Sequence, residues 1–525
     1  MTFLEFGLEV AIDDDHRDIV DSKVRSYVLS INRLVQLACR HLIYIMKPVP
    51  RGLGGLYLSN ATVPIQNCCE SKYEQYSHLK FKCRRSFQYS ASSVPMSRRS
   101  LDNKTWDIRA STLARNTHNL IRDVVENLQV EPNPDKPLIA LSMGDPTIFG
   151  NLNPPEQVLE AVRESIELGA SRSYGPAKGH LEARQAVAEY SAHQGDITAE
   201  DVILCSGCSH AIELAVSVLA DSGQNILVPR PGFMIYKTLA EGLGVTIKYY
   251  NLLPDLQWKV DIEDLENQID DDTAAIVVIN PSNPCGSVYN KEHLYEILDV
   301  ASRNRVPIIA DEIYEHFVFA GHEFKALSAL SKDVPILTCG GLTKRFLVPG
   351  WRMGWLIIHD RNNIFGKEVR KGLTNLSNRI LGPNTLIQRA LPSILLNTPQ
   401  SFFDEVLLFI ENQAKLAYEE LRRAPGLRPV MPQGAMYMMI EIKMSMFPMF
   451  INELQFVEHL VAEQSVFCLP GQCFVYPNFM RIVLTVPEDI MREACQRIVT
   501  FCQSLHSIKQ SRFFLSLFPF DRLDL

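Results

Sequence analysis

Val306-Pro-Ile-Ile-Ala-Asp311-Glu-Ile-Tyr314 opens with five apolar residues in a row, 306–310, where a half-exposed strand would alternate. A continuous run of that length is the mark of a strand covered on both faces. Asp311 then stands at the strand's C-terminal end, where open α/β sheets place their ligands. A strand-end Asp would equally cap a following helix, and Glu312 reads as the more exposed of the two carboxylates. Working outward, strands at 201–205, 225–228, 245–250, 274–279, 334–338 and 355–358 alternate with helices at Glu156–Leu168, Leu181–His193, Ala211–Leu219 and His293–Asn304. That order predicts an α/β fold with a mostly parallel sheet. A long amphipathic helix, Phe402–Arg423, leads into a smaller α+β unit with strands Met436–Ile442 and Met480–Val486 and a last helix Ile490–Leu505.

Other strand ends carry chemistry as well. Leu337 to Trp355 reads LTCGGLTKRFLVPGWRMGW, with Lys344 after the strand and Arg352 eight positions later inside Gly350-Trp-Arg-Met-Gly354. Two fixed cations on a tight Gly-rich connection suit an aldehyde and a phosphate, and pyridoxal phosphate carries both. A lysine condenses with an aldehyde only as its neutral amine, which nearby cations or desolvation must favour. Arg352 would serve that end and also offer a phosphate its donor fork. Taken alone, Lys344-Arg345 is as readily a solvated loop pair. Ser206-Gly-Cys-Ser209 opens the helix after strand 201–205, so unpaired N–H groups and the positive helix end would face a phosphate. The same turn would serve as a plain N-cap through Ser209. Asn283 lies in Asn280-Pro-Ser-Asn-Pro-Cys-Gly286, an irregular turn after strand 274–279, with an amide able to meet a ring oxygen or a carboxylate. Arg481 interrupts the apolar strand Asn478–Thr485; it should meet an anion there unless it faces solvent at an edge.

These segments, with Leu141–Leu152, Asn225–Phe233, Ser377–Pro383, Val461–Ser465 and Tyr476–Pro487, resemble the fold-type I pyridoxal-phosphate aminotransferases from about Trp106 to Leu505. The resemblance implies a large mostly parallel α/β domain at 151–395 and a smaller α+β domain at 396–507, preceded by an arm at 105–150. It implies pyridoxal 5'-phosphate as cofactor and a homodimer. Lys344 resembles the Schiff-base lysine and proton-moving base, and Asp311 the partner of the pyridine nitrogen. Tyr314 and Asn283 look like donors to the ring hydroxyl oxygen. Cys208, Ser209 and Arg352 resemble the phosphate cup, and Phe233 the aromatic stacked on the ring. Tyr174 is similar to the tyrosine that reaches a neighbour's phosphate. Gly144 and Arg481 look like receivers of the substrate carboxylate, and Arg379 like a contact for a distal one. Gly341 stands where many relatives have a phosphate-binding serine. The implied reaction is transamination, with aromatic amino acids as donors, tyrosine first and phenylalanine next, and 2-oxoglutarate as acceptor. An alanine or broad-range transaminase and a carbon–sulfur β-lyase share this machinery, and a catalytically dead binding subunit is the reading from another class.

Composition agrees with a large enzyme acting on small molecules. The 525 residues are 46% hydrophobic and 21% charged, enough for a sizeable core and more than one domain. A net charge of −8 without long basic runs argues against a nucleic-acid partner. Twelve cysteines scattered without metal spacing suggest no metal and a reduced, cytoplasmic protein. Val28–Met46 comes nearest to a membrane span, but Arg33 and Arg40 interrupt it. Residues 1–104 carry no site motif, and their early acidic residues are unlike a mitochondrial presequence. The tail at 508–525, with Phe513–Phe520, would be an exposed apolar patch unless docked. Both ends are expected to be dispensable.

Overall fold

A computed structural model describes residues 106–517, apart from 107, 129, 170 and 171. The expectations for residues 1–104 and for Val28–Met46 lie outside the described residues, as does the end of the tail. Among the described residues no helix is long and apolar enough to cross a membrane.

A short strand, β1 (Ile139–Ala140), precedes the main sheet, whose strands in chain order are β2 (Val202–Cys205), β3 (Asn225–Arg230), β4 (Thr246–Leu253), β5 (Lys259–Val260), β6 (Thr273–Ile279), β7 (Ile308–Asp311), β8 (Ile336–Gly341) and β9 (Gly354–His359). They lie in the order β2-β9-β8-β7-β6-β3-β4-β5. The pairs from β8 across to β4 are parallel. β9 runs antiparallel to both its neighbours, and β5 is antiparallel to β4. The central strands are apolar without alternation because both faces are covered. Ile309 packs with Val277 and Leu337 on one side, while Ile308 and Ala310 pack with Ile276, Val278 and Ile336 on the other.

Register sets the site. Ile279 pairs with Asp311, and Asp311 with Cys339, so the C-terminal ends of β6, β7 and β8 are level. The loops that follow carry Asn283, the residues after Asp311, and Lys344 out on the same edge. The sheet's order breaks there too, since β3 lies beside β6, and such a break opens a crevice at the strand ends.

Helices that frame the site are α1 (Leu120–Glu126), α2 (Cys208–Leu219) and α3 (Ile235–Leu243). α2 starts three residues before the expected Ala211. Gly207, at φ +78°, takes the cap position, so helical backbone begins before the apolar periodicity does. The expected helix Leu181–His193 stops at Tyr190 and passes into a 3-10 turn at Ala192–Gln194.

The second sheet orders β10 (Leu427–Pro429), β11 (Tyr437–Ile442), β14 (Phe479–Val483) and β13 (Leu469–Pro470), all antiparallel. β12 (Val466–Phe467) pairs with β1, which ties the early segment to this part of the chain. The strand expected at 480–486 ends at Val483, and the last helix runs Glu488–Leu517. Arg481 sits mid-strand in β14, opposite Met439 and Leu469, so both sides of it are paired. The solvent-edge alternative is thereby removed.

Candidate active site

The level strand ends open into a cavity of about 480 Å³. Its walls include Lys344, Asp311, Tyr314, Asn283, Arg481 and Arg352, together with Cys208, Ser209, Phe233 and Gly144. The two predicted site residues that it does not include are Tyr174 and Arg379.

At the floor, Asp311 closes β7 and is almost fully buried. Burial pushes its carboxyl above the usual range, while the Tyr236 hydroxyl, the Ile313 N–H and the Cys208 thiol act against that. Tyr236, on α3, donates to Oδ2 at 2.7 Å; Cys208 Sγ lies 3.9 Å from Oδ1. Both Asp311 and Glu312 are buried, which corrects the expectation that Glu312 is the more exposed. Glu312 Oε1 accepts the Leu327 N–H at 3.0 Å, because the chain after Ala326 folds over it, and burial pushes its carboxyl up to about 8. No helix follows Asp311 directly, so it does not serve as a cap.

On one side the turn before α2 meets Arg352. Arg352 is itself in the left-handed region, at φ +52°, which turns its side chain back across Ser206 and Gly207. Nη2 donates to the Ser206 carbonyl at 3.3 Å and Nη1 to the Pro349 carbonyl at 3.0 Å. No carboxylate pairs with Arg352 among the described residues. A Cβ on Gly207 would fall 2.4 Å from Arg352 Nη2, and one on Gly354 would fall 2.6 Å from the Cys208 nitrogen. A helix N-terminus and a guanidinium pressed together in this way form an anion site. Gly341 leaves no room for the serine expected of relatives, since a Cβ there would lie 2.9 Å from Gly354 Cα. Gly207→Ala should therefore displace Arg352 and strain the cap. About 1–3 kcal/mol of such strain corresponds to cofactor binding weaker by about 5- to 150-fold, measurable as cofactor lost on dialysis.

Opposite the cup, Lys344 Nζ donates to the Gly144 carbonyl at 2.5 Å. The Tyr314 hydroxyl lies 2.8 Å from that of Tyr437. Arg481 is fully buried, and burial lowers its pKa. Nη1 donates to Asn283 Oδ1 at 3.0 Å and Nη2 to the Ser142 carbonyl at 2.7 Å. Its guanidinium carbon lies 4.3 Å from the Tyr437 ring centroid and 5.0 Å from that of Phe474. Nε has no partner, and none of these neighbours is an anion.

Arg379, expected to meet a distal carboxylate, does not line this cavity. It is exposed and lies 3.5 Å from Glu213, held on the outer side of α2 and away from the cavity of its own chain. Tyr174 is 87% exposed and reaches no part of the cavity. Sequence reasoning missed Tyr236 and Tyr437, and also α1, which lines the mouth through Ile121, Arg122 and Val125. Each is an ordinary residue in its local pattern; only the fold brings it to the site.

The donor set fits pyridoxal phosphate: an anion cup, a buried carboxylate for the ring nitrogen, an aromatic wall and a free amine in one cavity. Residues 136–498 match the family model for aminotransferase class I and II. The chain belongs to that family, whose members use pyridoxal phosphate. It is 55% identical over 399 residues to tyrosine aminotransferase of Bos taurus, covering 76% of this chain and 89% of that one. Among solved structures it resembles tyrosine aminotransferase from Leishmania infantum, with a TM-score of 0.73 and 33% identity over 76% of this chain and 99% of that one. Alanine aminotransferase from Pyrococcus furiosus superposes with a TM-score of 0.70 and 32% identity over 75% and 100% of the two chains.

Proposed function

We propose that this aminotransferase moves the amino group of L-tyrosine, and next of phenylalanine, to 2-oxoglutarate, giving 4-hydroxyphenylpyruvate and glutamate. The observation that carries the reading is Arg481, a buried cation with no anion of its own, beside the only lysine of the cavity wall. It receives the α-carboxylate and so holds the substrate α-carbon beside Lys344. Bound pyridoxal phosphate supplies an aldehyde for the amino group and a ring that accepts an electron pair. Lys344 Nζ takes the proton that leaves the α-carbon. Asp311 would face the ring nitrogen and favour its protonated form, with the Tyr236 hydroxyl working against the burial that raises the carboxyl's pKa. Tyr314 and Asn283 would donate to the ring oxygen, Phe233 would cover the ring face, and Cys208, Ser209 and Arg352 would hold the phosphate. Gly144 accepts the lysine amine when it is free. Ile121, Val125, Ile212 and Leu469 add apolar wall, which suits an aromatic side chain.

The working form is a homodimer in the cytoplasm. Tyr174, bare in its own chain, supports the dimer, and the eight described cysteines, all unpaired, support a reducing compartment. The test is product analysis with tyrosine plus 2-oxoglutarate, alanine plus 2-oxoglutarate, and cystine alone. Glutamate should form fastest with tyrosine. A higher kcat/KM with alanine, or thiol release from cystine without an oxo acid, would replace the reading.

A further inference from the structure

Tyr437 has no part in the scheme above, yet it touches the groups that the scheme uses at the amine end of the cavity. It opens β11, and its ring lies over the Arg481 guanidinium. Its hydroxyl is 2.8 Å from that of Tyr314 and within hydrogen-bonding reach of Lys344. A Cβ on Gly144 would begin 2.8 Å from that hydroxyl, so the backbone that takes the lysine amine closes directly over it. A phenol has one donor and two lone pairs, enough to serve Tyr314 and Lys344 together.

We propose that Tyr437 is a positioning residue of the transamination site: its hydroxyl couples Lys344 to Tyr314, and its ring holds the Arg481 fork flat for the substrate carboxylate. The two phenols differ in acidity. Burial raises a phenol's pKa, but at Tyr437 the Lys344 and Arg481 charges, with the hydrogen bonds to Tyr314 and Lys344, together outweigh burial and bring it below the usual value. Burial and the neighbouring Tyr437 push Tyr314 the other way. At 2.8 Å either hydroxyl can be the donor, and when Tyr437 donates, the Tyr314 proton is free for the cofactor's ring oxygen. Tyr437 in turn accepts from the lysine amine. When substrate displaces that amine, the acceptor is already in place, and the change is passed to Tyr314 through one shared hydroxyl.

The proposal rests on the assignment of Lys344 as the cofactor-linked base, so the experiment begins by separating the two. Borohydride reduction of the wild-type holoenzyme must leave the cofactor on Lys344; a label elsewhere or none overturns the functional reading. With the label in place, the visible absorbance of the Tyr437→Phe holoenzyme is titrated with pH. Loss of the hydroxyl acceptor should lower the titration midpoint by about half a unit or more. It should also lower kcat about tenfold, with KM for tyrosine within about twofold. Tyr437→Leu, which removes the ring as well, should raise KM about tenfold by freeing Arg481. Because one hydrogen bond joins them, Tyr314→Phe and Tyr437→Phe together should be no slower than the slower single variant. A midpoint and kcat unchanged in Tyr437→Phe overturn the proposal, and so do effects that multiply in the double variant. Tyr437→Phe keeps the ring and its packing, so a fold defect does not mimic these results.

Discussion

Lys344→Ala should lower kcat/KM for tyrosine by on the order of 10⁴-fold, the upper range of what a positioned proton-transfer group contributes. Nothing nearby can take over. The other cations of the cavity wall are Arg122, Arg352 and Arg481, and a guanidinium neither condenses with an aldehyde nor gives up its proton. The carboxylate in the cavity floor, Asp311, is buried at the end of β7 and held there by the Tyr236 hydroxyl at 2.7 Å. The turn itself should survive the change. Leu342 and Phe346 on either side are fully buried, the Leu342 N–H bonds to the Met353 carbonyl at 3.1 Å, and that of Phe346 bonds to the Leu342 carbonyl at 3.1 Å. Loss of activity would therefore come without loss of fold, visible as an unchanged thermal transition. Lys344→Arg keeps the charge and should be equally inactive, which separates amine chemistry from electrostatics. Steady-state rates and the mass of the borohydride-labelled peptide check both variants. Retention of more than a hundredth of the activity in either one would show that the base lies elsewhere.

The same residues show what a sequence can and cannot disclose. Continuous apolar runs at 274–279 and 306–310 were readable as covered strands because helices do pack on both faces, and strand ends then mark where ligands go. Arg481 was readable as an anomaly for the same reason: a charge in an apolar strand demands an explanation. Whether that explanation was solvent or an anion depended on strands β11 and β13 closing on both sides of it. Strand direction was less legible. β9 turns antiparallel because the link from β8 is a loop, not a crossover helix, and an apolar run carries no sign of its direction. The helix Gly366–Ser377 was missed although Val369, Leu373 and Leu376 stand at helical spacing and pack on the core, because its other positions are mostly polar or glycine. Contacts between distant residues were out of reach altogether. Tyr314 and Tyr437 are 123 positions apart, and Tyr236 and Asp311 are 75 apart. No local pattern distinguishes these tyrosines from others that only fill space.

Arg481→Met should separate binding from stability. Removing one partner of a buried charge pair costs about 2–5 kcal/mol, which corresponds to a fall in kcat/KM of about 30- to 5,000-fold at 1.36 kcal/mol per tenfold. The loss should appear for every amino donor and every oxo-acid acceptor alike, because all of them bring an α-carboxylate to the same fork. Folding should respond differently. In the substrate-free protein Arg481 is a fully buried cation whose fixed partners are an amide oxygen, a backbone carbonyl and two aromatic rings, so its desolvation is only partly offset. Methionine removes that cost and fills similar space between Tyr437 and Phe474. It also leaves Asn283 Oδ1 and the Ser142 carbonyl without their donor, at about 1–3 kcal/mol each. These contributions oppose one another, and replacement of buried ionic groups by apolar ones is often neutral for stability. A thermal transition close to wild type is therefore expected beside a collapse in kcat/KM. Arg481→Lys should recover only part of the activity, since an ammonium is a point charge and cannot offer a carboxylate two parallel donors. If Arg481→Met keeps tyrosine turnover within threefold of wild type, the carboxylate binds elsewhere, and the buried cation needs another anion to account for it.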